Sequence, residues 1–352
     1  MQPRRRLIIL CNALDDRTRI ERGITTDSPA ASRKVFLAAR AIAATGVKPV
    51  VVSLGRGRAN GSGDRFPTTV RRHQGVPVVY LRFSHRRVIS ELVSLFAPIG
   101  VLCRLRRPPA RKTIVFYNQL LAYLPALVAA RLTGYFTVLD LEDSATGQGG
   151  MSERLTDLIR QLPFEWLCRR AMLACSMIAR ETRLRPTLCY YGTVEQLQAS
   201  RDWSAPQVHV LLGGTIAPDT GALLLADAIS RLRQEQPDWV KSVVFEVTGK
   251  GPSLPALEEL AADPRAPKLI VHGRTTDAEY RAIIERAHVG LALKPNTGDL
   301  AHTTFPSKVT EMAAAGMLVL STDISDVRKV LGDGARYLER DDAALLVERL
   351  AE

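Results

Sequence analysis

The segment that decides the fold of this chain runs from residue 305 to residue 323, and its sequence is Phe305-Pro306-Ser307-Lys308-Val309-Thr310-Glu311-Met312-Ala313-Ala314-Ala315-Gly316-Met317-Leu318-Val319-Leu320-Ser321-Thr322-Asp323. It predicts a short helix from Pro306 to Ala315 and then a buried parallel strand, because proline suits the first helical turn and glycine suits the cap. Lys308 and Glu311 share one face of that helix. A helix start favours an anion, and a carboxylate can accept hydrogen bonds from sugar hydroxyls. The segment therefore has the features of a nucleotide-diphosphate site.

Composition indicates a globular chain of two domains. The chain has 352 residues, of which 46% are hydrophobic and 24% charged, and domains usually have about 100–200 residues. Five cysteines form no C-x-x-C pair, which favours a reduced, cytoplasmic setting and indicates no zinc site. The first ten residues combine three arginines with a short apolar run, a pattern that favours a first strand over a signal peptide.

Charge is distributed very unevenly along the chain. The first 192 residues carry 31 Lys/Arg and 13 Asp/Glu, whereas the rest carry 17 and 23, so the two parts have net charges of +18 and −6. Such asymmetry indicates an anionic partner for the first part. The apolar run from Leu92 to Cys103 lies inside the most basic stretch and is too short for a bilayer span of about 20 residues. It predicts either a segment in an anionic membrane interface or a buried helix followed by a solvated basic loop.

Short strand patterns alternate with helical patterns throughout, which is typical of parallel βαβ units. We therefore expect an α/β fold of two Rossmann-like, doubly wound parallel-sheet domains, residues 1–192 and residues 193–352, facing across a cleft. The polar stretch from Val194 to Pro206 is the expected connection. In open α/β sheets, ligands bind outside the carboxyl ends of the strands.

Four loops of the second domain carry glycine or lysine at the point where a strand ends. Glycine permits close backbone approach to a ligand, and lysine offers compact charge to phosphate. Together with the segment after residue 304, these loops predict a donor site at one sheet edge; its residues are Gly213, Gly214, Gly249, Lys250, His272, Gly273, Lys294, Phe305, Pro306, Ser307, Lys308 and Glu311.

This pattern resembles the glycosyltransferases of the GT-B fold, most closely the retaining group called glycosyltransferase family 4, or glycosyl transferases group 1. The resemblance is strongest from Val243 to Leu331. It implies an acceptor-binding first domain and a second domain that binds a nucleotide-diphosphate sugar. Glu311 would bind the donor ribose, the backbone from Phe305 to Lys308 its diphosphate, and Gly213 and Gly214 the phosphates or the transferred sugar. The loops at Gly249 and His272 would border the base.

The first domain contains the run Leu139-Asp140-Leu141-Glu142-Asp143, which resembles the acceptor domain of the same group. Glu142 and Asp143 are the candidate catalytic residues, because a positioned carboxylate can take a proton from an acceptor hydroxyl. They could equally cap the next segment. The acceptor would be a glycan, lipid-linked or otherwise anionic, in cell-surface polysaccharide synthesis. We expect no metal, no further cofactor and no nucleic-acid partner, and a cytoplasmic protein that is peripheral on the inner face of the membrane.

Three positions depart from the family pattern. Thr303 stands where a second glutamate is frequent, and Thr215 and Thr220 stand where an arginine and a lysine usually follow the first glycine loop. Two alternatives therefore remain at this point. One is a catalytically inactive binding or scaffold protein, and the other is a nucleotide-sugar epimerase of the same fold.

Overall fold

The computed structural model describes residues 6–60, 65–105, 112–142, 151–195, 201–297, 301 and 304–352. The chain divides into two compact units, Met1–Thr193 and Val194–Glu352, and the expected boundary lies one residue before this division. Each unit has its own largely parallel sheet with helices. The α/β class expected from the alternating pattern is confirmed.

The first unit is built on an eight-stranded sheet with the order β10-β9-β8-β7-β1-β2-β5-β4. Only the β4–β5 pair is antiparallel among the described pairs of this sheet. Its strands are β1 (Arg6–Cys11), β2 (Lys48–Ser53), β4 (Thr69–His73), β5 (Val76–Tyr80), β7 (Lys112–Tyr117), β8 (Phe136–Leu141), β9 (Arg170–Leu173) and β10 (Thr187–Cys189), and β3 (Arg65–Phe66) pairs separately with β6 (Phe83–Ser84). Its helices are α1 (Asp16–Glu21), α2 (Pro29–Ala44), α3 (Arg87–Leu105), α4 (Leu124–Leu132) and α5 (Met151–Leu167).

The second unit has a six-stranded sheet with the order β13-β12-β11-β14-β15-β16, and all its described pairs are parallel. Its strands are β11 (Val208–Thr215), β12 (Val243–Lys250), β13 (Leu269–Gly273), β14 (Val289–Ala292), β15 (Leu318–Thr322) and β16 (Ala335–Leu338). Its helices are α6 (Ala222–Glu235), α7 (Leu254–Ala262), α8 (Asp277–Arg286), α9 (Lys308–Ala314), α10 (Val327–Leu331) and α11 (Ala343–Ala351).

The segment from residue 305 to residue 323 forms the predicted helix and strand, but the helix starts later than proposed. The Val309 amide donates to the Pro306 carbonyl at 2.9 Å, so Pro306 belongs to a turn before α9 and is not its first residue. Gly316, with φ +76°, follows the end of the helix. Met312 packs directly on β14, since a Cβ added at Gly290 would lie 2.5 Å from the Met312 sulfur. The helix is thereby fixed to the centre of the sheet.

Several strands were not predicted from the sequence, among them the edge strands β4, β10 and β16. β4 alternates half-buried and exposed residues and contains two arginines, and it pairs antiparallel with β5. β16 is a four-residue strand at the other sheet's edge. Edge strands have a partner on one side only and therefore need no continuous apolar run.

Candidate functional site

The candidate site lies at the carboxyl edge of the second sheet, where the chain order of the strands reverses between β11 and β14. Such a reversal opens a crevice beyond the strand ends, and this is where open α/β sheets bind their ligands. Gly213 and Gly214 lie near the carboxyl end of β11, and Lys294 lies two residues after the end of β14. The Lys294 carbonyl accepts a hydrogen bond from Thr322 Oγ1 at 2.5 Å, which ties its loop to β15.

Two glycine loops meet at this edge in backbone-to-backbone contact. Gly214 and Gly249 have φ angles of +123° and +141°, which residues with a Cβ rarely adopt. A Cβ added at Gly249 would lie 1.7 Å from the Gly214 carbonyl oxygen. The Ile216 amide donates to the Lys250 carbonyl at 3.0 Å and continues the pairing past the strand ends. The two glycine segments therefore pack backbone against backbone at this edge.

Three side chains from two helices converge at this edge. Lys308 Nζ on α9 donates to Tyr280 Oη on α8 at 2.8 Å and to Glu311 Oε2 at 2.5 Å. Tyr280 Oη in turn donates to Glu311 Oε2 at 3.1 Å. A Cβ added at Gly214 would lie 3.6 Å from Lys308 Cε, and one added at Gly213 would lie 3.6 Å from Tyr280 Oη. We call Tyr280, Lys308 and Glu311 the triad.

The triad combines opposite charges in a half-buried setting. The Lys308 and Glu311 side chains are 18% and 23% exposed, and the Lys308 ammonium lies 4.8 Å from the centre of the Tyr280 ring. An ammonium beside a glycine backbone can meet phosphate oxygens, and a carboxylate can accept from hydroxyl groups. Partial burial strengthens both interactions relative to water. This arrangement can hold a ligand that has an anionic end next to a hydroxylated one.

The structure brings four of the predicted donor residues together at the triad: Gly213, Gly214, Lys308 and Glu311. Lys250 and Gly249 end β12, and Gly273 ends β13 with φ +62°, so these residues lie along the same sheet edge. Phe305 is buried, and Ser307 is the residue before the first turn of α9. Thr303 and Asp143 lie outside the described residues.

Tyr280 was missed by the sequence analysis. It is the fourth residue of α8, a helix whose start is fixed by a capping box in which the Thr276 amide donates to Glu279 Oε2 at 2.8 Å. The capping box is visible in the sequence and indicates where the helix begins. It does not indicate that this face of the helix meets α9.

The imidazole of His272, a residue of the predicted donor site, contacts a buried carboxylate. Its Nε2 lies 2.6 Å from Oε2 of Glu246, a fully buried carboxylate in the middle of β12. His209 Nδ1 lies 2.6 Å from the other oxygen, and the Arg286 guanidinium donates to both. Burial opposes the charge of Glu246, but the hydrogen bonds from Arg286, His272 and His209 outweigh it and lower its pKa to about 2. Because Arg286 is the last residue of α8, this buried charge holds the end of the helix that carries Tyr280.

The sequence contained a signal for this cluster. Glu246 interrupts the apolar run Val243-Val244-Phe245-Glu246-Val247, and an acid inside a buried strand requires compensating partners. The partners themselves come from two other strands and a helix, so the sequence order does not reveal them.

The first unit carries a second buried group of polar residues at the carboxyl end of β8. Glu142 forms an ion pair with Lys34 of α2 and accepts from Tyr190 Oη at 3.3 Å. Tyr190 Oη also contacts both Asp140 oxygens, at 2.8 and 3.0 Å. The Lys34 ammonium lies 4.4 Å from the centre of the Tyr190 ring. Burial raises the pKa of Asp140, although Lys34 and Tyr190 act in the opposite direction.

This arrangement gives Glu142 a defined position next to an ammonium. Lys34, Asp140 and Tyr190 were not proposed as site residues from the sequence, because they come from α2, β8 and the chain after β10. Among the residues that the structure describes, no group of three or more His, Cys, Asp or Glu side chains could hold a metal ion.

Comparison with known proteins gave matches to a family and to solved structures. Residues 207–352 match the model of the family described as glycosyl transferases group 1. A comparison with curated proteins gave no match. The chain is similar in structure to an α,α-trehalose-phosphate synthase (UDP-forming) from Burkholderia vietnamiensis, with 14% identity, a TM-score of 0.60 and coverage of 99% of this chain and 89% of that one.

Two further solved structures show the same fold. One, described as trehalose-6-phosphate from E. coli bound with UDP-2-fluoro glucose, has 11% identity, a TM-score of 0.62 and coverage of 98% of this chain and 90% of that one. The other, TarM, has 8% identity, a TM-score of 0.67 and coverage of 100% and 91%. The two-unit architecture expected from the sequence is therefore confirmed at the level of the fold.

Proposed function

We propose that the chain is a glycosyltransferase whose donor is a nucleotide-diphosphate sugar bound at the triad, a proposal supported by the GT-B fold and by the match of residues 207–352 to the glycosyl transferases group 1 family. The observation that carries this proposal is the hydrogen-bonded triad, in which Lys308 lies beside Gly214 and Tyr280 lies beside Gly213. The diphosphate would lie on the glycine backbone and the Lys308 ammonium. The ribose hydroxyls would donate to Glu311.

Bond cleavage in such a transfer leaves a nucleoside diphosphate that carries the developing negative charge. Preorganised N–H groups and cations stabilise that charge without further rearrangement. Lys308 is the cation at the centre of the site; Lys250 ends β12 and Lys294 follows β14 by two residues, and these two strands flank β11 on either side. The protein would then contribute mainly by position and charge, with the acceptor oxygen held against the anomeric carbon. Retention of configuration and independence from metal ions are part of this proposal.

The acceptor side of the proposal rests on the polar group at the end of β8. Glu142, held by Lys34 and Tyr190, would take the proton of an acceptor hydroxyl, with Asp143 as the neighbouring candidate. The net charge of +18 on the first 192 residues favours an anionic or lipid-linked glycan as acceptor. We place this reaction at the inner face of a membrane, in the synthesis of a cell-surface polysaccharide.

One observation supports the alternative of a binding protein without turnover. Thr220, which replaces a cation of the family pattern, uses its hydroxyl inside its own turn and donates to the Thr215 carbonyl at 2.6 Å. The first glycine loop therefore offers no cation at this position. Donor binding without transfer to any of a broad panel of acceptors would favour this alternative over the enzyme.

The donor proposal is tested by thermal unfolding with UDP, GDP and ADP. UDP is the first choice, because one structural neighbour is described with UDP-2-fluoro glucose. A nucleotide at a hundredfold excess over its Kd stabilises a fold by ~2.7 kcal/mol, so at least one of the three is expected to raise Tm by several degrees.

The Glu311→Ala variant is expected to lose most of this rise. Glu258→Ala is the matched control, since Glu258 is an exposed glutamate on α7 of the same unit, and it should respond like the unchanged protein. The donor assignment is wrong if no nucleotide stabilises the protein or if Glu311→Ala responds fully.

A further inference from the structure

Helix α3 turns its apolar residues outward and its small polar residues inward. Val88, Leu92 and Phe96, which follow one another at intervals of four, are 72%, 54% and 58% exposed. The buried positions Ser90, Ser94, Pro98 and Leu102 follow the same interval on the opposite side. Ser94 satisfies its buried hydroxyl by donating to the Ser90 carbonyl at 2.7 Å. A helix on a water-exposed domain normally has the reverse arrangement.

The neighbouring helices continue this apolar surface. α4 packs beside α3, and α5 packs beside α4. Val128 and Leu132 on α4 are exposed, as are Leu158, Leu162 and Trp166 on α5, and Trp166 is 74% exposed. We call these residues the apolar face: Val88, Leu92, Phe96, Val128, Leu132, Leu158, Leu162 and Trp166. Exposed apolar residues concentrated on three neighbouring helices indicate an interaction site.

Cations border the apolar face. Arg86 and Arg87 are exposed at the start of α3 and Arg104 at its end, while Arg169 and Arg170 are exposed just after α5. The acids nearby are engaged: Glu91 pairs with Arg56, and Glu165 accepts from Thr182 and from the Arg183 amide. An apolar centre with a basic border complements a surface whose interior is apolar and whose outer layer is negative. An anionic phospholipid bilayer has this composition.

α3 is integrated into the first unit along its length. Within the described ranges it is the one helix long and apolar enough to cross a membrane. However, Tyr135 Oη donates to the Leu102 carbonyl at 2.9 Å and Arg6 donates to the Leu105 carbonyl at 3.0 Å. These bonds, and the buried row that contains Ser90, hold the helix against its unit, so it can lie on a membrane without leaving the fold.

We propose that the apolar face docks on an anionic bilayer, with α3, α4 and α5 lying in the interface and their bordering arginines on lipid phosphates. This inference rests on the proposed membrane location of the acceptor and adds the surface that provides it. The side chains of Phe96 and Trp166 enter the boundary between headgroups and acyl chains, where aromatic rings are favoured.

Vesicle sedimentation of the full chain tests the proposal. The probes are vesicles of phosphatidylcholine alone and of phosphatidylcholine mixed equally with phosphatidylglycerol. The protein is expected to sediment with the anionic vesicles, to do so less at high salt, and to stay largely unbound with the neutral ones. The Trp166 fluorescence, assigned by a Trp166→Phe variant, should shift to shorter wavelength on the anionic vesicles.

Variants distinguish vesicle binding through the apolar face from nonspecific binding by exposed apolar residues elsewhere. Phe96→Ser combined with Trp166→Ser is expected to weaken vesicle binding about tenfold, whereas Val70→Ser combined with Leu188→Ser should change it less than about twofold. Val70 and Leu188 are equally exposed apolar residues elsewhere in the first unit. All four positions are exposed, and far-ultraviolet circular dichroism will verify that each variant is folded.

Three outcomes would overturn the proposal: equal sedimentation with both vesicle types, equal loss in both variant pairs, or no loss in either. Light scattering could instead show a dimer that the Phe96→Ser, Trp166→Ser variant no longer forms, together with no vesicle binding. That result would assign the apolar face to a second copy of the chain and would also overturn the proposal. The nucleotide-induced rise in Tm, measured on the same variants, reports on the donor site alone. If the nucleotide still raises Tm in variants that do not bind vesicles as expected, the membrane surface is wrongly assigned and the proposed donor site is not affected.

Discussion

Tyr280 connects the two charged side chains of the proposed donor site. Its hydroxyl accepts from Lys308 and donates to Glu311, and its ring is buried. A hydroxyl that bridges an ammonium and a carboxylate fixes both at once, so neither has to be ordered when a ligand arrives. The geometry of the two charged side chains therefore depends on the hydroxyl group of an uncharged residue.

Tyr280→Phe is expected to weaken nucleotide-diphosphate binding about tenfold, or about 1.4 kcal/mol, because the hydrogen bonds to two charged groups are lost. Titration calorimetry measures the Kd. Tyr337→Phe is the control, since its hydroxyl donates to the Gly332 carbonyl at 2.6 Å in the same unit. An unchanged Kd for Tyr280→Phe would contradict the positioning role.

The buried carboxyl group of Asp140 is the basis of a second prediction at the residue scale. Burial raises its pKa above the ordinary value of 3.8, so the folded protein binds this proton more tightly than the unfolded chain does. Its contribution to stability is therefore complete below pH 3.8 and declines as the pH rises through the raised pKa. Asp140→Asn keeps an acceptor for Tyr190 and removes the titration.

The free energy of unfolding of Asp140→Asn should therefore rise relative to the unchanged protein as the pH increases above 3.8. Urea unfolding at a series of pH values provides the measurement. Asp227→Asn, at an exposed position of α6, is the control variant. A constant difference for Asp140→Asn across the series would mean that Asp140 does not titrate as proposed.

Helix α8 is held to the sheet at its C-terminal end by the buried charge of Glu246. Glu246 lies on β12, His209 on β11 and His272 on β13, while Arg286 ends the helix. The cluster therefore ties three adjacent strands to one helix. Since the same helix carries Tyr280, the position of the triad depends on this element-scale connection.

Glu246→Gln is expected to reduce the free energy of unfolding near neutral pH by about 3 kcal/mol, because the folded protein lowers the pKa of Glu246 below its ordinary range and the glutamine cannot contribute this stabilisation. A lowered pKa stabilises the fold above pH 4.5 and ceases to do so as the pH falls toward 2. The difference between the two proteins should shrink over that interval in urea unfolding. Glu258→Gln supplies the comparison, and a deficit independent of pH would disprove the electrostatic explanation.

The whole molecule consists of two units with separate cores. One core is formed by residues such as Val51 and Phe36, the other by residues such as Leu225 and Phe245. Units of this size with their own cores generally unfold as separate cooperative transitions. A ligand stabilises only the transition of the part that binds it.

Scanning calorimetry should thus resolve two transitions, and the nucleotide that raises Tm should raise only the one belonging to Val194–Glu352. Glu246→Gln identifies that transition independently, because it should lower the same one. A nucleotide that raised both transitions equally, or a single transition for the whole chain, would contradict this prediction.

The sequence by itself determined the α/β class, the parallel strands and the edge at which the polar loops meet. Alternating periodicity and glycine at strand ends are local features, and parallel strands bring their carboxyl ends to one edge whatever the rest of the chain does. Gly213, Gly214, Lys308 and Glu311 were accordingly predicted to lie at this edge, and the structure places them near one another. The start of α9 was placed two residues early, because Pro306 suits both a first helical turn and the turn before it.

Only the tertiary structure decided which side chains meet. Tyr280 and Lys308 are 28 residues apart, and the partners of Glu246 come from three separate elements, so contacts of this kind follow from packing and not from spacing. The same holds for α3: its sequence has one row of apolar residues and one row of serines and proline, and either row can face the rest of the first unit. In the structure Val88, Leu92 and Phe96 face outward. The small residues of the opposite row allow the helix to approach the rest of its unit closely, as the packed side of this helix requires.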